Sequence, residues 1–199
     1  MKIYFVRHGE TDWNKRSKIQ GQADIPLNAT GRMQAEQAAA QMVGVPVDIA
    51  YTSPLIRARE TAEIFLAIKG NCPLETDPRL MEISYGVREG QSLTLIRKCP
   101  FVALHNYFAH PEKYVPPRKG ETILELKARC RSFLDERVYG GERRFSSIMI
   151  FTHGALIKGM ASVVKQLPDR DFWSGAEVGN CSVTVMQLEN GKLSMLRIQ

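Results

Sequence analysis

Short apolar runs, separated by longer segments of mixed composition, dominate the hydrophobic pattern of this chain. Residues 3–6 form one such run, Ile-Tyr-Phe-Val, close to the start of the sequence. A run of this length without polar alternation is typical of a strand that is buried on both faces of a sheet. The pattern predicts strands at residues 3–6, 47–52 and 147–151, and a shorter strand at residues 74–76.

Helical segments lie between these strands. Ser53-Pro54 places a capping residue before a proline at the first helical position, which favours a helix start. Asn28 or Thr30 is a suitable cap for an earlier helix that is rich in Ala, Gln and Met. The predicted helices cover about residues 28–42, 54–68, 121–139 and 155–165, and a short helical turn is expected within the polar loop 12–25.

The alternation of strands and helices predicts an α/β fold, a three-layer α/β/α sandwich around a mostly parallel sheet. Alternating segments at 183–188 and 192–198 flank Asn190-Gly191, which predicts a hairpin that adds an antiparallel edge strand. We expect a single domain over residues 1–199. Residues 92–118 mix apolar, aromatic and proline residues irregularly, and we expect a lid or insertion there with one or two short helices.

Composition narrows the class of protein. No run of 18 apolar residues occurs and no signal peptide is evident, so we expect no membrane span and a cytoplasmic location. The four cysteines include no C-x-x-C pair, and their spacing indicates neither a zinc site nor a disulfide framework. The net charge of +6 is spread along the chain without a long basic run, which fits an anionic small substrate and does not predict nucleic-acid binding.

The first strand runs directly into Arg7-His8-Gly9-Glu10. These residues are poorly suited to core packing but suit an anion site, because ligands of open α/β sheets collect at the carboxyl ends of strands. The planar fork of Arg7 can hold phosphate oxygens, and His8 can act as a nucleophile or proton carrier near neutral pH. We expect Gly9 to allow a sharp turn and the close approach of a ligand.

A second strand repeats this pattern, since residues 148–151 run into Thr152-His153-Gly154. If the two strands are neighbours, both imidazoles face one crevice. Gly154 also opens a helix, whose N-terminal amides favour an anion. Arg57 lies in the first turn of another helix, where a cation opposes the helix dipole, and we therefore expect it to have an anionic partner.

Together with further segments, these residues resemble the histidine phosphatase superfamily, also called phosphoglycerate mutase-like. The matching segments are Arg7-His8-Gly9-Glu10-Thr11, Asn14, Gln20-Gly21, Leu27-Asn28, Gly31, Gln34-Ala35, Ser53-Pro54-Leu55, Arg57-Ala58, Thr61-Ala62, Leu80, Glu82, Gly86, Glu89-Gly90, Gly120-Glu121, Thr152-His153-Gly154 and Asn180-Cys181-Ser182. Arg-His-Gly alone is moderately specific, whereas the ordered set, which covers nearly the whole chain, is highly specific.

The resemblance implies a mechanism and a set of roles. His8 would attack phosphorus and become a phosphohistidine, and Glu82 would protonate the leaving alcohol and then activate water. Arg7, Arg57 and His153 would hold the phosphoryl oxygens. The substrate-binding set implied by the resemblance is Arg7, Asn14, Gln20, Gly21, Arg57, His153 and Gly154. No metal and no cofactor are implied, because two arginines and an imidazole supply the positive charge.

This chemistry sets requirements on protonation. His8 must be neutral to attack, and the two nearby arginines favour its neutral form. Glu82 must be protonated to act first as an acid, so a raised pKa is expected. The sequence leaves the protonation state of His153 open.

Several other polar residues have no assigned role at this stage. His105 and His110, five positions apart, do not have the spacing of a helical metal pair, and Arg97 and Lys98 in the same segment are typical of solvated charges. We expect Glu10 to cap or pair locally. The sequence leaves open whether Tyr85 lines the pocket or only packs. It also leaves open whether Arg88 faces an acidic substrate or a surface partner.

The resemblance leaves the substrate and the acceptor of the phosphoryl group open. Arg88 stands where many phosphatases of the family carry Trp, and Met81 stands where a basic residue is common. The short, apolar and aromatic insertion favours a phosphomonoesterase over a phosphoglycerate mutase, and a non-catalytic phosphate-binding module is the third alternative. We expect a small phosphorylated metabolite as the partner, and a monomer or a homodimer.

Overall fold

The computed structural model describes residues 1–70, 72–102 and 104–198. In these residues six strands form one sheet. The strands are β1 (Lys2–Arg7), β2 (Ile49–Thr52), β3 (Leu74–Thr76), β4 (Ser147–Thr152), β5 (Val183–Glu189) and β6 (Lys192–Ile198).

The sheet has the order β3-β2-β4-β1-β5-β6. The first four strands in this order run parallel to one another. β5 pairs antiparallel with β1, and β6 pairs antiparallel with β5 at the edge of the sheet. The prediction of a mostly parallel sheet with an antiparallel edge hairpin is therefore confirmed. Asn190 and Gly191 both have positive φ angles, as a tight hairpin turn requires.

Seven α-helices accompany the sheet in the described part of the chain. They are α1 (Asp12–Lys15), α2 (Ala29–Gln41), α3 (Ile56–Lys69), α4 (Leu93–Lys98), α5 (His105–Ala109), α6 (Ile123–Phe133) and α7 (Gly154–Lys165). Helical structure continues from α6 as a wider π-helical segment, Leu134–Tyr139, so the predicted long helix is regular only in its first part. None of these helices is long and apolar enough to cross a membrane.

The two faces of the sheet carry separate apolar cores. Alternate residues of β1 divide between them, with Ile3 and Phe5 on one side and Tyr4 and Val6 on the other. The first side packs against α6 and α7, and the second packs against α2 and α3. The structure thus has the three layers that the strand and helix alternation predicts.

The start of α3 differs from the sequence-based expectation. Ser53-Pro54 does not cap the helix, which begins at Ile56 after Leu55 in an extended conformation. The side chain of Asp24 instead accepts a hydrogen bond from the Ile56 N–H at 2.7 Å. Because this cap comes from a loop 32 positions upstream, local sequence patterns do not reveal it.

The irregular segment 92–118 contains α4, α5 and a 3₁₀ turn at Pro111–Lys113, in agreement with the expected short helices. Ala103 lies outside the described residues. Ile96 and Tyr107 of this segment are fully buried in the core on the α6 and α7 side. The segment is therefore packed onto the main fold through its apolar side chains.

Candidate active site

The carboxyl ends of β1 and β4 bring the two His-Gly sequences together. The strands are adjacent and parallel, with Arg7 opposite Thr152, so His8 and His153 follow at the same level. The two imidazole rings lie 5.2 Å apart between centroids. The topology thus brings the two imidazoles together as predicted, although His8 lines the cavity at these strand ends and His153 does not.

Hydrogen bonds fix the tautomer of His8. Its Nδ1 lies 2.7 Å from the carbonyl oxygen of Gly9, which can only accept, so Nδ1 carries the proton. Its Nε2 accepts a hydrogen bond from Arg57 Nε at 3.3 Å, and a guanidinium can only donate. Burial, together with the charges of Arg57 and Arg7, holds the pKa of His8 well below its usual range. His8 is therefore neutral, and its Nε2 lone pair, which accepts the long hydrogen bond from Arg57, can attack once that hydrogen bond is released.

Arg57 is fully buried, although it lies in the first turn of α3. It donates to the carbonyl oxygens of Ala23 and Gly21 at 2.8 and 2.7 Å as well as to His8. Its partners in the described residues are thus an imidazole and two carbonyl dipoles, and an anionic partner for Arg57 stays a prediction. Burial lowers the pKa of Arg57 to about 10, which leaves it charged at neutral pH. Two of its five N–H groups remain for a ligand.

Arg7 is the second guanidinium of the site. It donates to the carbonyl oxygen of Val178 at 2.7 Å, while its buried Nε has no partner in the described residues. Burial lowers its pKa, and the charge of Glu82 opposes this effect. An unpaired buried N–H group is costly, so Arg7 is prepared to donate to an incoming anion.

His153 is fully buried and makes one hydrogen bond through its ring, between Nε2 and the Ser53 hydroxyl at 2.8 Å. Its Nδ1 has no partner in the described residues. Burial holds the pKa of His153 well below its usual range, and the charge of Arg57 adds to this effect. The protonation state that the sequence left open is therefore neutral in the free protein.

Glu82 occupies the amino-terminal end of α7. Its carboxylate accepts hydrogen bonds from the N–H groups of Ile83, Ala155 and Leu156 at 3.0–3.1 Å. The anion that we expected at this helix end is thus partly supplied by the protein itself. Burial raises the pKa of Glu82, and the amide hydrogen bonds and the charges of Arg57 and Arg7 oppose it. The direction of the net shift is the one that an acid catalyst needs.

An ion pair between Arg129 of α6 and Glu121, which precedes this helix, holds the peptide segment around Glu82. Arg129 forms two hydrogen bonds with the Glu121 carboxylate, at 2.6 and 2.9 Å. It also donates to the carbonyl oxygen of Met81 at 2.6 Å, while Glu121 accepts from the Ser84 N–H at 3.3 Å. The pair therefore holds the backbone on both sides of Glu82.

Replacement of Arg129 by Met is expected to lower the free energy of unfolding by about 3 kcal/mol, because it leaves the mostly buried Glu121 carboxylate without its partner. Lys127→Met is the matched control, since Lys127 lies on the same helix and pairs with the more exposed Asp169. Its expected loss is about 1 kcal/mol. Urea unfolding at one pH measures both values, and equal losses would contradict the structural role given to Arg129.

Gly9 lies against the backbone of α2. A Cβ atom at this position would lie 2.3 Å from the carbonyl oxygen of Gly31, on the first turns of α2. Gly9 therefore permits the close approach of a helix backbone, and its expected role beside a ligand stays a prediction. Glu10 pairs locally, because its carboxylate accepts a hydrogen bond from Asn28 at 2.9 Å.

A cavity of about 610 Å³ lies beside Arg7, His8, Arg57 and Glu82. The side chains and backbone that line it include Arg7, His8, Asn14, Lys18, Ile19, Gln20, Gly21, Arg57, Glu82, Tyr85, Leu93, Arg97, Phe108, Gly154, Ala155, Lys158, Trp173, Glu177 and Val178. His153 is not part of this lining and contacts the site through the ring of His8. The cavity has a cationic end at the strand termini and a mixed apolar and charged remainder.

The loop 14–21 supplies the polar residues that the resemblance placed on the substrate side. Asn14 and Gln20 both use their carbonyl oxygens to accept from Thr11, and their NH₂ groups have no partner among the described residues, so they can donate to a ligand. Gly21 has a positive φ angle, and its carbonyl oxygen faces Arg57. All three predicted positions lie on the cavity wall.

The remaining candidates divide between the cavity and the surface. Arg97 and Tyr85 line the cavity, whereas His105, His110, Lys98 and Arg88 do not. The site also contains residues that the sequence did not indicate, of which Lys158 is the most buried charged one. Its position four residues after Gly154, on the same face of α7, is the signal that would have located it.

The described residues include no group of three or more His, Cys, Asp or Glu side chains that could hold a metal ion. The cationic side chains that line the cavity are Arg7, Lys18, Arg57, Arg97 and Lys158, and Arg7 and Arg57 are the two beside His8. Burial and the surrounding backbone hold these groups in fixed directions.

Fold and site together define an α/β protein with an anion cavity at the carboxyl ends of its central strands. The profile of the histidine phosphatase superfamily (branch 1) matches residues 3–199. The chain belongs to this family, as the sequence resemblance predicted.

Individual relatives carry the names of both phosphatases and mutases. A probable phosphatase of Schizosaccharomyces pombe, C1687.21, is 33% identical over 157 residues, 79% of this chain and 70% of the relative. A probable phosphoglycerate mutase of Proteus mirabilis, GpmB, is 32% identical over 194 residues, 96% of this chain and 86% of the relative. The solved structure of a phosphoserine phosphatase mutant from Entamoeba histolytica, in complex with phosphoserine, has a TM-score of 0.85 at 26% identity and covers 99% of this chain and 95% of its own.

Proposed function

We propose that this protein is a metal-independent phosphomonoesterase that hydrolyses small phosphate monoesters through a phosphohistidine at His8. The observation that carries the proposal is the neutral His8, which borders the cavity next to the guanidinium groups of buried Arg57 and half-buried Arg7. A neutral imidazole is a nucleophile, and guanidinium groups stabilise the charge of a phosphoryl group in transfer.

In the first step the Nε2 lone pair of His8 attacks phosphorus, and the bond between phosphorus and the alcohol oxygen breaks. Glu82 gives its proton to the departing oxygen, so the alcohol leaves neutral. The remaining N–H groups of Arg7 and Arg57 would stabilise the phosphoryl oxygens. His153 packs behind the ring of His8 and would support the nucleophile from there.

The second step returns the site to its starting state. The Glu82 carboxylate takes a proton from a water molecule, whose oxygen attacks phosphorus as the bond to His8 Nε2 breaks. Inorganic phosphate leaves, the Nε2 lone pair is restored and Glu82 is protonated again. The net reaction is hydrolysis of the monoester to an alcohol and phosphate.

In this proposal residues 1–199 form one domain, and residues 92–118 form a lid over its cavity. Leu93 and Arg97 of α4 and Phe108 of α5 line the cavity beside the catalytic groups. The partner is a small phosphorylated metabolite. The cavity volume of about 610 Å³ lies within the range typical of small-molecule sites.

Water as the acceptor of the phosphoryl group distinguishes this proposal from a phosphoglycerate mutase, the second candidate, which the name of the Proteus mirabilis relative supports. The test is to incubate the protein with 3-phosphoglycerate and to follow inorganic phosphate and 2-phosphoglycerate together. Phosphate release faster than isomerisation supports the phosphatase, and the reverse supports the mutase. Binding of phosphate monoesters without either reaction would indicate a non-catalytic module.

The pH dependence of kcat/KM follows from the pKa shifts. His8 cannot act as a nucleophile when its imidazole is protonated. Its pKa lies well below 6.5 because of burial and the charges of the two arginines. Glu82 must be protonated in the first step, and its pKa is raised above 4.5 by burial. We expect kcat/KM for an alkyl phosphate to be retained or to rise between about pH 7 and about pH 5. A tenfold fall over this interval, as a histidine of ordinary pKa would give, would contradict the assignment.

A further inference from the structure

Glu89 is a half-buried carboxylate that the proposed phosphoryl chemistry does not use. It follows the short 3₁₀ turn Gly86–Arg88 and is not part of the cavity lining. One of its oxygens, Oε1, accepts hydrogen bonds from two backbone N–H groups, that of Gln22 at 2.9 Å and that of Tyr85 at 3.1 Å. Glu89 therefore joins two backbone segments that both border the cavity.

The hydrogen bond to Gln22 reaches Arg57 through a single peptide unit. The N–H group of Gln22 and the carbonyl group of Gly21 belong to the same planar unit, and they point in opposite directions. The N–H end faces Glu89, while the carbonyl oxygen accepts from Arg57 Nη2 at 2.7 Å. Because hydrogen bonds in a chain polarise one another, the carboxylate strengthens the bond between this carbonyl oxygen and the guanidinium.

The absence of a side chain at Gly21 makes this arrangement possible. Gly21 has a φ angle of +55°, and a Cβ atom there would lie 2.2 Å from Glu89 Oε1 and 3.0 Å from the ring of Tyr85. A side chain at this position would displace the carboxylate from the Gln22 N–H group. The close approach of Glu89 is thus a second reason for glycine here, besides the positive φ angle.

Arg57 depends on such backbone contacts for its direction. Two of its three hydrogen bonds in the described residues go to backbone carbonyl oxygens. Burial lowers the pKa of Arg57, and the charges of Glu82, Asp24 and Glu89 oppose this effect. Of these three carboxylates, Glu89 is the one that accepts a hydrogen bond from a peptide unit bonded to the guanidinium.

The second hydrogen bond of Glu89 connects the acid to the same assembly. Tyr85 lies three residues after Glu82, and the side-chain NH₂ group of Gln22 donates to the Glu82 carbonyl oxygen at 3.1 Å. The loop that holds Arg57 and the segment that contains Glu82 therefore meet at Glu89.

We propose that Glu89 is a positioning residue for phosphoryl transfer, which keeps Arg57 directed at the phosphoryl group through the peptide unit between Gly21 and Gln22. This inference rests on the proposed phosphatase function. The effect belongs to the acceptor oxygen of Glu89, because a negative charge near the cavity would by itself oppose the binding of an anion.

The experiment compares two variants of equal charge and similar size, Glu89→Gln and Glu89→Met. Gln keeps an oxygen that can accept from both N–H groups, whereas Met has only a weak acceptor. We expect kcat/KM for dinitrophenyl phosphate to be about tenfold lower for Glu89→Met than for Glu89→Gln, which should stay within about threefold of the wild type. This ester needs no proton from Glu82, so its kcat/KM reports on the groups that hold the phosphoryl group.

Arg57→Met tests whether the effect passes through the guanidinium. In the Arg57→Met background we expect the ratio between the two Glu89 variants to fall close to one, because the peptide unit then has no guanidinium to hold. A tenfold ratio that persists in this background would mean that Glu89 has only a structural role, and it would contradict the inference.

Asp48→Leu is the matched control for the loss of a carboxylate that binds backbone. One oxygen of Asp48 also accepts from two N–H groups, those of Ser146 and Ser147 at 2.6 and 3.0 Å. These groups lie at the start of β4, at the opposite end of this strand from His153. We expect kcat/KM of this variant to stay within about twofold of the wild type.

A titration with inorganic phosphate separates this inference from the proposed function. We expect Glu89→Met to bind phosphate about tenfold more weakly than Glu89→Gln, whether or not the protein is a phosphatase. Equal values for the two variants, in phosphate affinity and in kcat/KM, would contradict the role of Glu89 and leave the phosphatase intact. If the wild type releases no dinitrophenol, the proposed function is contradicted, and the phosphate affinities still decide the role of Glu89.

Discussion

Replacement of His8 by Ala is expected to lower kcat for phosphate monoesters by about 10⁴-fold or more, because the variant has no nucleophile to carry the phosphoryl group. The same cavity still contains Arg7 and Arg57, so binding of inorganic phosphate should persist. Steady-state release of phosphate from an alkyl phosphate measures the loss, and a titration with phosphate measures the binding.

His105→Ala is a suitable control for this experiment. His105 lies on α5 outside the cavity, and its Nδ1 is within 3.1 Å of the Ile96 carbonyl oxygen. We expect its activity to stay within about twofold of the wild type. Activity of the His8 variant above one hundredth of the wild-type value, in a folded protein, would rule out His8 as the nucleophile.

The second large effect concerns Glu82→Gln and depends on the leaving group. With propyl phosphate we expect kcat to fall about 10³-fold, because the departing alkoxide has no proton donor. Dinitrophenyl phosphate needs no acid, so its first step should remain fast. Its second step still needs a base to activate water, and the phosphoenzyme should therefore accumulate.

A rapid-quench measurement with dinitrophenyl phosphate shows whether this occurs. The expected result is a burst of one dinitrophenol per active site, followed by slow turnover. The Gln side chain keeps the size of Glu82, and its carbonyl oxygen can accept the hydrogen bonds from Ile83 and Leu156, whereas its NH₂ group would face the Ala155 N–H. A thermal unfolding measurement therefore accompanies the kinetics and shows that the variant is folded. Equal losses for both esters, with no burst, would contradict the role of Glu82 as acid and base.

The sequence predicts the layers of this fold because buried strands and tight turns have recognisable local sequence patterns. Strands β1 and β4 are continuous apolar runs, and Asn190-Gly191 marks the hairpin. The start of α3 could not be predicted in the same way. Its cap is Asp24, which reaches the helix through tertiary packing, while Ser53 is used instead by His153.

The candidate site was predictable where residues follow strands directly. His8 and His153 occupy equivalent positions after β1 and β4, and adjacency of these strands brings their rings together. The contact of Glu82 with the first turn of α7 joins residues more than 70 positions apart. Nothing in the local sequence encodes this contact, and only the family resemblance pointed to Glu82.

Lys158 shows why the outer part of the cavity was missed. In the sequence it is an ordinary lysine of an amphipathic helix, where such residues are mostly exposed. It is held at the cavity wall because its ammonium donates to the carbonyl oxygens of Ser174 and Ala176. The specificity of a site is set by such packing, which a single sequence does not disclose.

Direct detection of the phosphoenzyme tests most closely whether the phosphoryl group passes through His8. The Glu82→Gln protein is mixed with dinitrophenyl phosphate, quenched in alkali and analysed by peptide mass spectrometry, because phosphohistidine survives alkaline conditions. We predict one phosphoryl group per chain on the peptide that contains His8. We predict none in the double variant that carries both Glu82→Gln and His8→Ala. A phosphoryl group on another residue, or catalysis without any phosphoenzyme under these conditions, would contradict the account.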